Sequence, residues 1–111
     1  MSDSAPARGE VWLVEFGPSR GGEIQKTRPA VVLSHDTANA LLNRVQVVPA
    51  SSQTQRLYAS ETQITLNGAA RKAMADQITT VAKERLRRRL GKLAQDDVEA
   101  VARVVRLQLG L

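Results

Sequence analysis

The chain contains no cysteine, which excludes disulfides and cysteine-ligated zinc and fits a cytoplasmic protein. Aromatic residues are scarce too. Trp12, Phe16 and Tyr58 are the only three, too far apart for a broad base-stacking platform. His35 is the sole histidine and has no histidine, cysteine or glutamate partner at metal-ligand spacing, so no metal site is expected. A surface or turn histidine and an acid–base group are both open readings of it. No apolar run approaches membrane-spanning length. Residues 1–8 lack the basic and apolar regions of a secretion signal and read as a disordered N-terminal arm.

What remains is enough for one domain, over residues 9–111, with one modest core. Hydrophobic residues make up 42% of the chain, too many for a wholly disordered protein. The formal charge is +5, and eight of the sixteen lysines and arginines fall between Arg71 and Lys92. Such a band favours an anionic partner, nucleic acid or an acidic protein segment; a solvated face with no ligand explains it as well.

Two runs, Glu10 to Phe16 and Ala30 to Ser34, read as strands because they are rich in β-branched and aromatic residues. In the first, Trp12, Val14 and Phe16 are expected to form the core face. The second is nearly continuous in apolar character, as in a strand covered on both sides. Between them Gly17-Pro18 and Gly21-Gly22 supply turn chemistry. The resulting long hairpin loop is expected to gather Glu23, Lys26 and Arg28 at its root. Arg28 must be extended because Pro29 follows it. It suits a phosphate clamp at a strand mouth, or an arginine that merely pairs with Glu23.

Ser34 and Asp36 favour the start of a short helix reaching Leu42. Val45 to Pro49 reads as a third strand, expected to end, bulge or lie at an edge at Pro49. Ser51 then stands at a strand exit, facing a cleft or belonging to a plain serine-rich loop. Tyr58 to Leu66 reads as a half-exposed strand before an Asn67-Gly68 turn. Residues 69–75 fit helix or strand equally, Asp76 to Val81 reads as a strand, and Lys83 to Leu86 as a helical turn. A helix capped by Asp96 or Asp97 runs to about Leu109, with Val98, Ala102, Val105 and Leu109 as its apolar stripe. The sum is a mostly β chain, a strongly bent sheet or partial barrel with a terminal helix.

Several segments also resemble one family. They are Arg8-Gly9-Glu10-Val11-Trp12, the Gly17-Pro18 turn, the Gly22-Glu23 step and Lys26-Thr27-Arg28-Pro29-Ala30-Val31-Val32-Leu33-Ser34. The series continues through Asn39, Val47-Val48-Pro49-Ala50-Ser51-Ser52, and residues 75–86. Their order and spacing resemble the MazF/PemK-type toxins over about residues 8–109. The resemblance implies a small SH3-like barrel with short helices and a C-terminal helix, usually a homodimer. It implies the toxin of a type II toxin–antitoxin pair, opposed by a cognate acidic antitoxin. The activity implied is metal-independent, cofactor-free, sequence-specific cleavage of single-stranded RNA, often mRNA.

By the same resemblance the catalytic roles fall on Arg28 and Ser51, with Glu23 positioning Arg28 or the RNA. Lys26, Gln25, Gln77, Arg85, Arg87 and Arg88 make up the RNA-binding set. Ile24, Gln25 and Lys26 replace the family's usual glutamine and glycines, which alters loop shape and base specificity. Serine at 51 keeps the hydroxyl of the more frequent threonine but loses the methyl that restricts its rotamer. Attack by an adjacent 2′-OH needs donors for the charged phosphorane, which Arg28 supplies. Two further readings stay open: a nucleic-acid-binding module without catalysis, and a CcdB-like toxin acting on a topoisomerase.

Overall fold

The computed structural model describes residues 5–18, 21–23 and 26–111. Among the described residues seven strands form one antiparallel sheet: β1 (Glu10–Glu15), β2 (Thr27–Val32), β3 (Arg44–Ser51), β4 (Glu61–Leu66), β5 (Ala69–Met74), β6 (Thr79–Ala82) and β7 (Leu86–Lys92). Their order is β4-β5-β3-β2-β1-β7, with β6 also on β3. Helix α1 (Asp36–Leu41) joins β2 to β3, and α2 (Gln95–Leu109) ends the chain. No helix among the described residues is long and apolar enough to cross a membrane.

The sheet curls because β3 and β7 both bend it. Along one edge of β3, β6 pairs up to Val47 and β5 pairs from Ala50 onward. Pro49 sits at that changeover, where its missing N–H interrupts no ladder. The strand therefore runs on to Ser51 instead of stopping at the proline. Strand β7 shifts register twice against β1, between Val11 and Trp12 and between Leu13 and Val14. Such bulges increase local twist. The curl brings β4 and β7, the edge strands, together through a side chain: Asn67 Nδ2 donates to the Leu90 carbonyl at 2.9 Å. Gly91 leaves room at this closure, since a Cβ there would stand 3.0 Å from Asn67 Oδ1 and 3.1 Å from Leu66 Cδ1 and would press both side chains aside. Asn67 and Gly68 both have positive φ, as a tight two-residue hairpin turn requires.

Apolar side chains cover both faces of the central strands. One cluster joins Val11, Val31 and Val48 to Ile64 and to Val98, Val101 and Val105 of α2. The other joins Val14, Ala30, Val32 and Val47 to Val81, with Trp12 and Phe16 half-buried at its margin. β1 thus serves two cores, and the expected face of Trp12, Val14 and Phe16 is only one of them. On α2, Val101 is fully buried whereas Leu109 is 54% exposed, so the expected stripe ends a turn early.

Caps differ from expectation in a consistent way. Ala94 precedes α2 without a side-chain cap. Asp97 instead accepts from the backbone N–H of Thr65 on edge strand β4 at 2.9 Å. His35 caps α1, its Nδ1 accepting from Thr37 N at 3.0 Å. Buried Asn39 donates through Nδ2 to the Ser34 carbonyl at 2.9 Å, tying α1 to the end of β2. Arg8, assigned by sequence to the arm, donates its backbone N–H to Asp36 Oδ1 at 2.7 Å and its guanidinium to the Leu33 carbonyl. Pro6 is buried as well.

Among the described residues, three carboxylates hold their protons less tightly than usual. Burial pushes the Glu10 carboxyl up, but donation from Ala7 N (2.8 Å), Trp12 Nε1 (3.0 Å) and Arg89 Nε (2.9 Å) outweighs it and leaves it low. The Arg87 side chain lowers Glu15, and the Arg8 N–H lowers Asp36. A lowered folded pKa contributes stability above the unfolded value, which is lost as pH falls through the folded one. The urea midpoint is therefore expected to be flat from pH 7 to about 5 and to fall below about pH 4. Glu10→Gln should lower the neutral plateau and flatten the acid limb. An unchanged limb would remove Glu10 from the account.

Candidate active site at the mouth of β2 and β3

The β2–β3 ladder pairs Ala30 with Pro49, Val31 with Val48 and Val32 with Val47. Extending that register by two residues sets Arg28 opposite Ser51. Both residues line one cleft of about 360 Å³, together with Pro29, Ser52, Gln53, Arg71 and Met74. Arg28 is exposed on β2, held extended ahead of Pro29. Ser51 Oγ accepts from the Gln53 backbone N–H at 3.0 Å. That bond fixes the hydroxyl oxygen and leaves its O–H to donate into the cleft. An exposed guanidinium beside a hydroxyl donor suits a tetrahedral or trigonal-bipyramidal oxyanion.

A second cleft, about 460 Å³, lies beyond the 3₁₀ turn Ala75–Gln77 that follows β5. It is lined by Phe16, Glu23, Asp76, Gln77, Thr79 and Arg85, among others. Gln77 Nε2 donates to the Gly22 carbonyl at 2.8 Å and holds the β1–β2 loop over this cleft. Arg85 donates to the Glu15 carbonyl at 3.2 Å. Lys26 stands exposed at the loop root with φ +63°, its carbonyl accepting from Phe16 N at 2.8 Å. The loop root thus carries Lys26 and Arg28, while Glu23 lines the second cleft rather than the one holding Arg28.

The basic run behaves as a strand. Arg87 on β7 pairs with Glu15, Arg89 pairs with Glu10 at 2.9 Å, and Arg88 is exposed opposite Leu13. Gln25 lies outside the described residues. His35, as a helix cap, belongs to neither cleft. Among the described residues no group of three histidine, cysteine, aspartate or glutamate side chains is placed to hold a metal. Arg71 was missed by residue reading because residues 69–75 carry no clear period. Read as strand, they put Arg71 beside the serines.

A family model described as the PemK-like, MazF-like toxin of type II toxin–antitoxin systems matches residues 7–109. The chain belongs to that family. Among MazF relatives, Endoribonuclease MazF9 of Mycobacterium tuberculosis is 34% identical over 113 residues, covering 94% of this chain and 96% of the relative. The crystal structure of MazF (Form-I) from Deinococcus radiodurans superposes with a TM-score of 0.86 at 25% identity, over 98% of this chain and all of that one. A mycobacterial endoribonuclease in complex with its cognate antitoxin shares the fold, with a TM-score of 0.81 at 22% identity, over 96% of this chain and 97% of that one. The two residues to which the sequence resemblance assigns the catalytic roles, Arg28 and Ser51, line the same cleft of this MazF-like chain.

Proposed function

We propose that this protein is a toxin endoribonuclease that cuts single-stranded RNA at the Arg28–Ser51 cleft without a metal ion. The observation that carries the reading is the placement of Arg28 and Ser51 on paired strands at one cleft, in a chain of this family. The RNA supplies its own nucleophile. The 2′-oxygen forms a bond to the adjacent phosphorus, and the P–O5′ bond breaks. The products are a 2′,3′-cyclic phosphate and a 5′-hydroxyl; the proton leaving the 2′-OH is balanced by one delivered to the 5′ oxygen.

Charge builds on the non-bridging oxygens during that step. Arg28 meets it with directed N–H donors and Ser51 with its hydroxyl, the form of stabilisation that preorganised sites supply most effectively. With a pKa above about 12, arginine is a poor base, so electrostatic stabilisation is its main role. Glu23, Gln77 and Arg85 line the second cleft and take flanking nucleotides, where they contribute to sequence selection; Lys26, Gln25, Arg87 and Arg88 extend the basic track. We place the toxin in the cytoplasm as a homodimer on an SH3-like barrel. Its acidic antitoxin covers the same positive surface, in keeping with the net charge of +5.

The test is a degenerate single-stranded RNA pool incubated with the protein in EDTA, followed by end mapping. Reproducible cuts with cyclic-phosphate and 5′-hydroxyl ends are expected. Deoxyribose at the mapped scissile nucleotide should abolish the cut at that position, because only the 2′-OH can start the reaction. Intact RNA beside folded protein, or undiminished cutting of the deoxy substrate, would overturn the reading. RNA bound but uncut would instead indicate a binding module.

A further inference from the structure

Among the described residues, Arg71 Nε is the only buried side-chain nitrogen or oxygen without a hydrogen-bond partner. Native proteins seldom leave such a donor unmet, because its lost hydration is not recovered. Arg71 also lines the cleft that holds Arg28 and Ser51. β5 pairs with β3 at Ala50–Ala73 and Ser51–Lys72, and one further step brings Arg71 beside Ser52. β2, with Arg28, lies on the opposite edge of β3. The two arginines therefore flank the serines from either side, on backbones separated by two strand spacings, about 9–10 Å.

The neighbouring cation has another task. Lys72 Nζ donates to Glu61 Oε1 and to the Arg56 carbonyl, both at 3.0 Å, and is buried there. Of the two consecutive basic residues, one is consumed by the fold and the other carries an unmet donor at the cleft.

We propose that Arg71 is a second phosphate-binding residue of this site, its partly exposed guanidinium turning into the cleft to donate to the RNA phosphate next to the one held by Arg28. The proposal rests on the ribonuclease reading of the cleft. Once the side chain turns, a phosphodiester oxygen supplies the acceptor that the protein withholds, and the planar guanidinium offers it directed donors. Contact with a backbone phosphate strengthens binding irrespective of base, so Arg71 adds affinity and register rather than sequence choice.

The experiment uses RNA carrying deoxyribose at the mapped scissile position, so that binding is read without cutting. Wild type, Arg71→Gln and Arg71→Lys are titrated across potassium chloride concentrations, and their thermal unfolding is followed in parallel. Arg71→Gln is expected to bind about tenfold more weakly, with the slope of log affinity against log salt shallower by about 0.7. Arg71→Lys should restore the slope and only part of the affinity. Melting temperatures should hold or rise, since the glutamine removes an unmet donor. Binding and slope equal to wild type, in a wild type that cuts RNA, would overturn the role of Arg71 alone. A loss of binding that tracks a fall in melting temperature would also overturn it, in favour of a structural arginine. A wild type that neither binds nor cuts RNA would remove the cleft reading and this proposal with it.

Discussion

Arg28→Ala is expected to lower single-turnover RNA cleavage by about 10²–10³-fold, the usual effect of removing one preorganised donor from a developing oxyanion. The chain around it has no reason to suffer. Arg28 is exposed at the start of β2, and the buried register begins at Ala30. Melting temperature should therefore stay within a few degrees of wild type. Affinity for uncleavable RNA should fall by about tenfold or less, because Arg28 is one of several cations on this surface. The informative result is the split: cleavage lost far beyond binding marks an interaction made chiefly in the transition state. Arg28→Lys keeps a charge but not the planar fork and should recover only part of the rate. Ser51→Ala should cost less, since its hydroxyl contributes one neutral donor. Full cleavage by Arg28→Ala would sink the assignment, whatever the fate of Ser51.

The strand positions of Arg28 and Ser51 were legible in sequence because what fixes them is local, whereas their catalytic roles came only from the resemblance. The proline after Arg28 constrains its backbone, and the run into Ala30-Val31-Val32 announces a strand. Val45 to Val48 likewise points to a strand with Ser51 near its exit. The hairpin at Asn67-Gly68 and the docked face of α2 were legible for the same reason, being set by turn chemistry and a 3–4 residue period.

The rest depends on partners distant in the chain. Arg87-Arg88-Arg89 shows no alternation, yet these residues form β7, because β1 offers Glu15 and Glu10 to two of them. Asp97 looked like a helix cap from its position, but the curl of the sheet presents it with the free edge of β4. Pro49 read as a strand end, a bulge or an edge position, and only the changeover from β6 to β5 along β3 makes it harmless inside a paired strand. Glu23 was placed with Arg28 by sequence proximity. The β1–β2 loop, held by Gln77 at Gly22, instead delivers Glu23 to the neighbouring cleft. Arg71 needs both the strand assignment of residues 69–74 and the knowledge that its Nε finds no acceptor in the fold.

The largest expected loss of stability lies in another such long-range pair. Glu61 and Lys72 are diagonal neighbours on β4 and β5, since Gln63 stands opposite Lys72 and Glu61 opposite Met74. Their charged atoms meet at 3.0 Å, with side chains only 7% and 10% exposed. Glu61 Oε1 also accepts from Tyr58 N at 2.9 Å, and the Lys72 ammonium lies 5.7 Å from the Tyr58 ring centroid. Glu61→Ala leaves the ammonium buried without its carboxylate, which costs about 3–5 kcal/mol in comparable buried pairs. For a domain whose total stability is about 5–15 kcal/mol, that is a large fraction. The double variant Glu61→Leu with Lys72→Met removes both charges and should recover most of the loss, because packed apolar groups replace such a pair at little net cost. Urea unfolding of the wild type, both single variants and the double variant measures the coupling directly. Cleavage should weaken in Glu61→Ala even well below its melting temperature. The same pair anchors the Arg56 carbonyl and Tyr58 N–H of the loop that leaves Ser51, and loosening that loop frees the hydroxyl beside Arg28. A Glu61→Ala protein within 1 kcal/mol of wild type would show instead that the ammonium reaches water through the loop, and that the pair does not hold the site.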